Sequence, residues 1–212
     1  IYLILIKYKK ILMRSWLNNI QWCAWCWDTL IIWAIKKAFE ELGIASNQRV
    51  VVSWVGCSGK ASQYIDWYAA ETLHGRTLPF ATGIKMVNPE LTVLATGWDG
   101  DWYWIGMGHF IHACKRDLNI TYIVMDNENY ALTTGQASPT TPIWAKTKTT
   151  PLGNTKQPFD PIKLALDAWC TFAKTADSIK FLEMKEIIKE AILHPGFSLV
   201  NIHQACPSFK RW

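Results

Sequence analysis

Two kinds of side chain in this sequence are spaced to do chemistry. The first are oxygen donors at the ends of apolar runs. Leu91–Thr96 is an apolar, β-branched run followed by Asp99-Gly100-Asp101, and Ile120–Met125 is another, followed by Asp126-Asn127-Glu128-Asn129. Mg²⁺ wants octahedral oxygen ligands and usually takes one or two from protein and others from phosphate. Asp99 offers a carboxylate, Asn127 an amide oxygen, and the loop after it a backbone carbonyl. A nearby helix N-terminus would add N–H donors for phosphate. The bland reading is that both are ordinary strand-end turn residues. The second kind are thiols. Of the 6 cysteines, Cys23 and Cys26 form a C-x-x-C pair, and Cys57 and Cys206 stand singly. Such a pair leans toward metal or redox chemistry rather than structural disulfides. Thiolates suit zinc and iron–sulfur clusters, but a zinc ribbon wants two pairs and this chain has one.

Positioning these groups requires a particular set of elements. Between the two apolar runs, Ile105–Arg116 carries Ile105, Phe110, Ile111 and Cys114 at roughly helical spacing, with Lys115 and Arg116 in its last turn. Strand, helix and strand of that length make a βαβ unit with parallel strands and a right-handed crossover. Such sheets take ligands beyond the carboxyl ends of their strands, where Asp99 and Asn127 both fall. Elsewhere, Thr29–Leu42 reads as a helix stopped by Gly43, and Val50–Val55 as a strand leading into the tight loop Gly56-Cys57-Ser58-Gly59-Lys60. Leu73–Arg76 is a polar turn, and Thr82–Lys85 opens a helix. Thr133–Phe159 is mostly loop. Asp160–Thr175 and Ser178–Leu193 read as helices, and Ser198–Ile202 as a last strand before Cys206-Pro207. Ile179, Leu182, Glu186, Ile187 and Glu190 give the second of these helices an amphipathic pattern, read as core packing. Alternating elements of this kind imply an α/β fold, a parallel sheet flanked by helices on both faces.

The 212 residues suffice for one α/β domain. At 50% hydrophobic and 18% charged, the composition is globular. The net charge of +5 is scattered, with no nucleic-acid stripe, and suits an acidic partner protein. No apolar run reaches the length that spans a membrane. The N-terminal IYLILIKYKK has its apolar stretch before its lysines, the reverse of a secretory signal, so the chain reads as cytoplasmic. Residues 1–12 precede Met13 and read as a non-native or disordered extension, or else a short strand. Residues 13–212 read as one domain with an artificial end at Trp212.

The Asp99-Gly100 pair followed by Asn127 resembles the thiamine diphosphate motif. The string MDNENYALTTGQASPTT, Met125–Thr141, resembles the β subunit of 2-oxoacid:ferredoxin oxidoreductases, particularly the 2-oxoglutarate type. The resemblance runs from Ile20 to about Phe209. It implies the thiamine diphosphate-binding fold, with Mg²⁺ and diphosphate held through Asp99, Asn127 and the Asn129 backbone, and with Gly100, Asp101 and Leu132 lining the cofactor. It implies one [4Fe–4S] cluster on Cys23, Cys26, Cys57 and Cys206. Lys60 is a candidate for the 2-oxoacid carboxylate and His74 for a cofactor contact. The implied reaction is oxidative decarboxylation, with coenzyme A taking the acyl group and electrons passing singly through the cluster to ferredoxin. In that family the glutamate that activates the aminopyrimidine comes from the α subunit, so this chain alone is expected to be inactive. The rival readings are a cluster-free thiamine-dependent decarboxylase or synthase, and a non-catalytic electron-transfer or zinc module. Cys114 and Cys170 read as small buried hydrophobes. His109 and His112 read as structural, and Ser58 and Ser62 lack the company of a serine hydrolase.

One compositional feature stands apart. The chain has 13 Trp and 12 Gly. Trp25, Trp27, Trp54, Trp98 and Trp102 stand where the resembling family carries glycine, in loops where backbone passes close to a cluster or diphosphate. A bulky residue there is an outlier. The expectation is a UGA codon that means glycine in the source and was read as tryptophan; the alternative is a degenerate, non-functional copy.

Overall fold

The computed structural model describes residues 21–209. The extension assigned to residues 1–12 and the end at Trp212 lie outside them. In chain order the elements are α1 (Asp28–Glu41), β1 (Arg49–Ser53), β2 (Tyr68–Glu71), α2 (Thr77–Val87), β3 (Thr92–Trp98), α3 (Met107–Arg116), β4 (Thr121–Asp126), β5 (Asn129–Tyr130), β6 (Gln136–Ala137), α4 (Pro161–Asp167), β7 (Phe172–Asp177), α5 (Phe181–Leu193) and β8 (Ser198–His203). A 3₁₀ segment, Ser58–Tyr64, follows β1, and a π-helical turn, Asp101–Ile105, precedes α3. The main sheet has the order β2-β1-β3-β4-β8-β7, and every pairing is parallel.

Helices cover both faces, as the alternation of elements demanded. Ile31, Ile35 and Phe39 of α1 and Met184 and Ile188 of α5 pack on Ile123 and Val200. On the other face Leu78 of α2, Phe110 of α3 and Ala165 of α4 pack with Tyr122 and Phe197. Each fully buried Ile or Phe contributes about 1.5–3 kcal/mol. Because both faces are covered, all of β4 is buried, and it reads as an unbroken apolar run rather than an alternation. From β1 the chain goes to β2 on one side and then to β3 on the other, so the order reverses between β1 and β3. No described helix is long and apolar enough to cross a membrane.

Several boundaries differ from the sequence reading. Helix α2 begins at Thr77, not Thr82, because Pro79 sits in a first turn where its missing N–H is not needed. Asp160–Thr175 is not one helix. Asp160 caps α4, accepting from the N–H groups of Ile162 and Lys163, and α4 ends at Asp167 before β7 begins. Cys170 therefore lies in the intervening loop, where its Sγ donates to the Phe172 carbonyl at 3.1 Å. In α5 the buried stripe is Met184, Ile188, Ala191 and Ile192, while Leu182 is 71% exposed. The apolar set named from sequence was out of phase with the helix. Strand β2, largely exposed at the sheet edge, carries no alternation to betray it.

Candidate functional site

The carboxyl ends of β3 and β4 lie side by side, Trp98 opposite Met125, which brings Asp99 beside Asp126 and Asn127. All three are buried. Thr140, from the loop after β6, folds back between the acids, its Oγ1 2.9 Å from Asp99 Oδ2 and 2.8 Å from Asp126 Oδ1. One hydroxyl proton can serve one carboxylate at a time. Asn201 of β8 donates to Asp126 Oδ2 at 3.1 Å, and Tyr103 donates to Asn201 at 2.8 Å. Burial and the neighbouring Asp126 charge push Asp99 up to about 8. Asp99 Oδ1 and Asn129 Oδ1 are buried with no hydrogen-bond partner among the described residues. Asn127 Oδ1 accepts from the Asn129 N–H at 3.2 Å, and Asn129 Nδ2 donates to the Asn127 carbonyl at 2.7 Å. A helical turn begins at Asp99 itself, so the expected helix N-terminus is there. The result is a dry floor of oxygen atoms with two unused acceptors, which suits a hard cation.

Asp101 turns away from that floor. Its Oδ1 accepts from the Gly75 N–H at 2.6 Å and pairs with His74 Nδ1, tying the Leu73–Arg76 turn to the Asp99 loop. Burial raises the Asp101 carboxyl, and His74 and Gly75 oppose the rise. The His74 ring stacks on Trp54 at 4.0 Å between centroids, and Trp98 lies 6.0 Å away in a nearly parallel plane. Trp54 directly follows β1 and Trp98 ends β3. Both indoles therefore stand at the order reversal, the crevice where open α/β sheets take ligands. A Cβ on Gly100 would lie 2.1 Å from the Trp98 ring, and one on Gly56 2.8 Å from it. The Trp98 ring thus fills the gap between the Gly56 and Gly100 loops. The oxygen donors fit a Mg²⁺–diphosphate group; the indoles of Trp54 and Trp98 stand 6.4 Å apart in the crevice beside them.

The four cysteines singled out from sequence come together. Cys23, Cys26, Cys57 and Cys206 line one cavity of about 290 Å³, with Lys60, Asn127 and Leu132 also in its wall. All four thiols are free. Among the described residues no three His, Cys, Asp or Glu side chains gather closely enough to share one metal ion. A cubane cluster differs from an ion in taking one thiolate at each of four separated corners, and four thiols are the donor type it would use. Burial, with the charges of Asp28, Cys206 and Cys23 nearby, pushes the Cys57 thiol up to about 11. Lys60 Nζ donates to Gln21 Oε1 at 3.0 Å.

Sequence reasoning missed the group beneath this cavity. Asp28 at the start of α1 is fully buried and accepts from Cys26 Sγ (3.5 Å), Ser58 Oγ (3.3 Å) and Gln204 Nε2 (2.9 Å). It thereby binds all three cysteine-bearing loops to one point. Its only sequence signal was an acid in the first turn of a helix, which ordinarily serves the helix dipole. Thr140 was missed as well, since only the folded loop places its hydroxyl. Cys114 and Cys170 are buried in the core as expected, away from the cavity.

The chain matches the family described as "Thiamine pyrophosphate enzyme, C-terminal TPP binding domain" over residues 43–202. It is 43% identical to the "2-oxoglutarate synthase subunit KorB" of Archaeoglobus fulgidus, over 97% of this chain and 76% of that one. It is 42% identical to "2-oxoacid:ferredoxin oxidoreductase 2, subunit beta" of Aeropyrum pernix, over 92% of this chain and 65% of the relative. The chain thus spans roughly two thirds to three quarters of the length of these relatives. Among solved structures, it superposes with a TM-score of 0.89 and 38% identity on the 2-oxoglutarate:ferredoxin oxidoreductase from Magnetococcus marinus with 2-oxoglutarate, coenzyme A and succinyl-CoA bound, covering 91% of this chain and 66% of that one. The strand-end oxygen floor, the four converging thiols and these likenesses lead to one conclusion: the chain belongs to the 2-oxoacid:ferredoxin oxidoreductase β-subunit family, within the thiamine pyrophosphate enzymes.

Proposed function

We propose that this chain is the cofactor-binding β subunit of a cytoplasmic 2-oxoacid:ferredoxin oxidoreductase, paired with an α subunit, with 2-oxoglutarate as the favoured substrate. The reaction consumes a 2-oxoacid and coenzyme A and yields acyl-CoA, CO₂, a proton and two electrons, which two ferredoxins accept singly. Bound thiamine diphosphate supplies the electron sink for decarboxylation. Asp99 and Asn127, with the Asn129 backbone, hold Mg²⁺ and through it the diphosphate. Gly100 lets the backbone approach that group, Asp101 fixes the loop, and His74 and Leu132 border the cofactor. Cys23, Cys26, Cys57 and Cys206 hold a [4Fe–4S] cluster, and Lys60 in the same cavity wall pairs with the substrate carboxylate. The single observation that carries the reading is the unpartnered buried oxygen Asp99 Oδ1, set beside Asn127 beyond the carboxyl ends of adjacent parallel strands. Four thiols around one cavity favour this enzyme over a cluster-free thiamine decarboxylase.

The test uses the α/β complex purified from source cells. Viologen or ferredoxin reduction should require both a 2-oxoacid and coenzyme A, run fastest with 2-oxoglutarate, and fall on chelation of Mg²⁺. No turnover with any of a panel of 2-oxoacids would overturn the assignment.

A further inference from the structure

Among the described residues, the non-glycine positions with left-handed φ are Trp25, Asp117, Glu128, Thr134, Trp144 and Trp169. Half are tryptophan. Each of the three lies in a motif that calls for glycine at that place. Cys26 N–H bonds the Cys23 carbonyl at 3.1 Å, so Trp25 (φ 66) is the third residue of a four-residue turn, where φ > 0 selects glycine. Trp144 (φ 66) holds the same position in the turn closed by Ala145 N–H on the Pro142 carbonyl at 3.2 Å. Trp169 (φ 64) follows the C-cap of α4. Its N–H bonds Leu166 at 3.0 Å, and the Cys170 N–H bonds Ala165 at 2.9 Å. Those two bonds define the Schellman motif, whose left-handed residue is usually glycine. The three indoles are 92%, 72% and 70% exposed, so burial does not offset the backbone strain.

The cradle indoles tell the same story by crowding. Trp102 is fully buried, its Nε1 has no partner among the described residues, and a Cβ on Gly97 would lie 1.9 Å from that atom. Trp98 is wedged between the Gly56 and Gly100 loops, and Trp54 lies 6.4 Å from it in a nearly parallel plane. Trp98 also donates its indole N–H to the Val55 carbonyl at 3.3 Å; what sets Trp22 and Trp67 apart is that neither supplies an atom that a Cβ on a described glycine would meet. Trp22 Nε1 donates to the Cys57 carbonyl at 2.7 Å, and its ring packs 4.3 Å from Tyr64. Trp67 packs 4.2 Å from Phe39 and lies under the Arg49 guanidinium. Trp27, with φ −67, makes no demand for glycine.

We infer that positions 25, 54, 98, 102, 144 and 169 are glycine sites, and that the native polypeptide carries glycine at all six, specified by UGA codons. UGA is one base from the tryptophan codon UGG and one from the glycine codon GGA. Trp22 and Trp67 are genuine and specified by UGG. The part concerning positions 54, 98 and 102 rests on the proposed cofactor site; the part concerning 25, 144 and 169 rests on backbone geometry alone.

The test has three arms. Peptide mass spectrometry of the protein from source cells should find glycine at the six positions and tryptophan at 22 and 67; tryptophan at the six overturns the inference. In the recombinant chain, Trp144→Gly and Trp169→Gly should each raise the melting temperature by about 2–4 °C, while Trp22→Gly and Trp67→Gly lower it. A fall in both loop variants also overturns it. Both loop sites are exposed, so these variants fold. Lastly, the W54G/W98G/W102G chain should bind thiamine diphosphate with Mg²⁺ where the tryptophan chain does not. Glycine in the native protein without such binding would uphold the inference and sink the cofactor assignment instead.

Discussion

The oxygen floor at the strand ends and the cysteine cavity are built on different principles. Asp99, Asp126 and Asn127 are set by the register of two central strands and locked by Thr140, Asn201 and Tyr103. Two of its buried oxygens, Asp99 Oδ1 and Asn129 Oδ1, have no hydrogen-bond partner among the described residues. The cysteines sit on three separate loops, joined beneath by Asp28, and all four thiols are free; burial raises those of Cys26 and Cys57. Their donors are placed around a cavity rather than onto one ion, and thiols must lose their protons to ligate a metal. A sheet can preorganise a few oxygens; loops can only bring sulfurs within reach.

The sharpest way to break this comparison is Asp99→Ala in the W54G/W98G/W102G chain. It removes the only carboxylate among the proposed Mg²⁺ ligands, and Mg²⁺-dependent thiamine diphosphate binding should vanish with iron content unchanged. Asn127→Ala should weaken binding less. Ordinary cofactor affinity in the Asp99 variant would show that the floor is not the site. Next come single Cys→Ser changes at 23, 26, 57 and 206, each of which should lose iron and visible charge-transfer absorption. Cys114→Ser and Cys170→Ser should keep both, and full iron in any of the first four removes that residue from the ligand set. Asp28→Asn should lower cluster retention about 10-fold, as loss of an outer partner does, and leave cofactor affinity alone. An equal loss in both sites would mean that Asp28 serves the fold generally. The smallest effect is Thr140→Val. It should cost about 1–3 kcal/mol in urea unfolding by taking the Thr140 hydroxyl from the buried Asp99 Oδ2, with cysteine chemistry untouched.

Much of this arrangement was legible in the residues. The apolar runs before Asp99 and Asn127 are central strands buried on both faces, the case in which composition speaks most clearly. Cys23 and Cys26 stood out as a C-x-x-C pair, and the resemblance to the oxidoreductase β subunits joined Cys57 and Cys206 to them. What was hidden depends on tertiary contact. The break of Asp160–Thr175 into α4 and β7 turns on a left-handed residue at 169, and the tryptophan there gave no hint of a stop where glycine would have. Asp28 looked like a helix-dipole acid because its three partners come from loops far apart in sequence. Strand β2 lies at an edge and buries too little to leave a pattern.

The place of β8 in the sheet has a kinetic consequence. It is the last of the described strands in sequence, yet it sits between β4 and β7, and Asn201 and Gln204 on or beside it hold Asp126 and Asp28. A nascent chain that has released everything through α5 still has β7 apart from the rest of its sheet, with the edge of the wholly buried β4 left open. Closure waits for a long-range parallel insertion, the slowest kind of pairing to find. Until then neither ligand site has its full support. The exposed edges of β4 and β7 are where a stalled or truncated chain would aggregate.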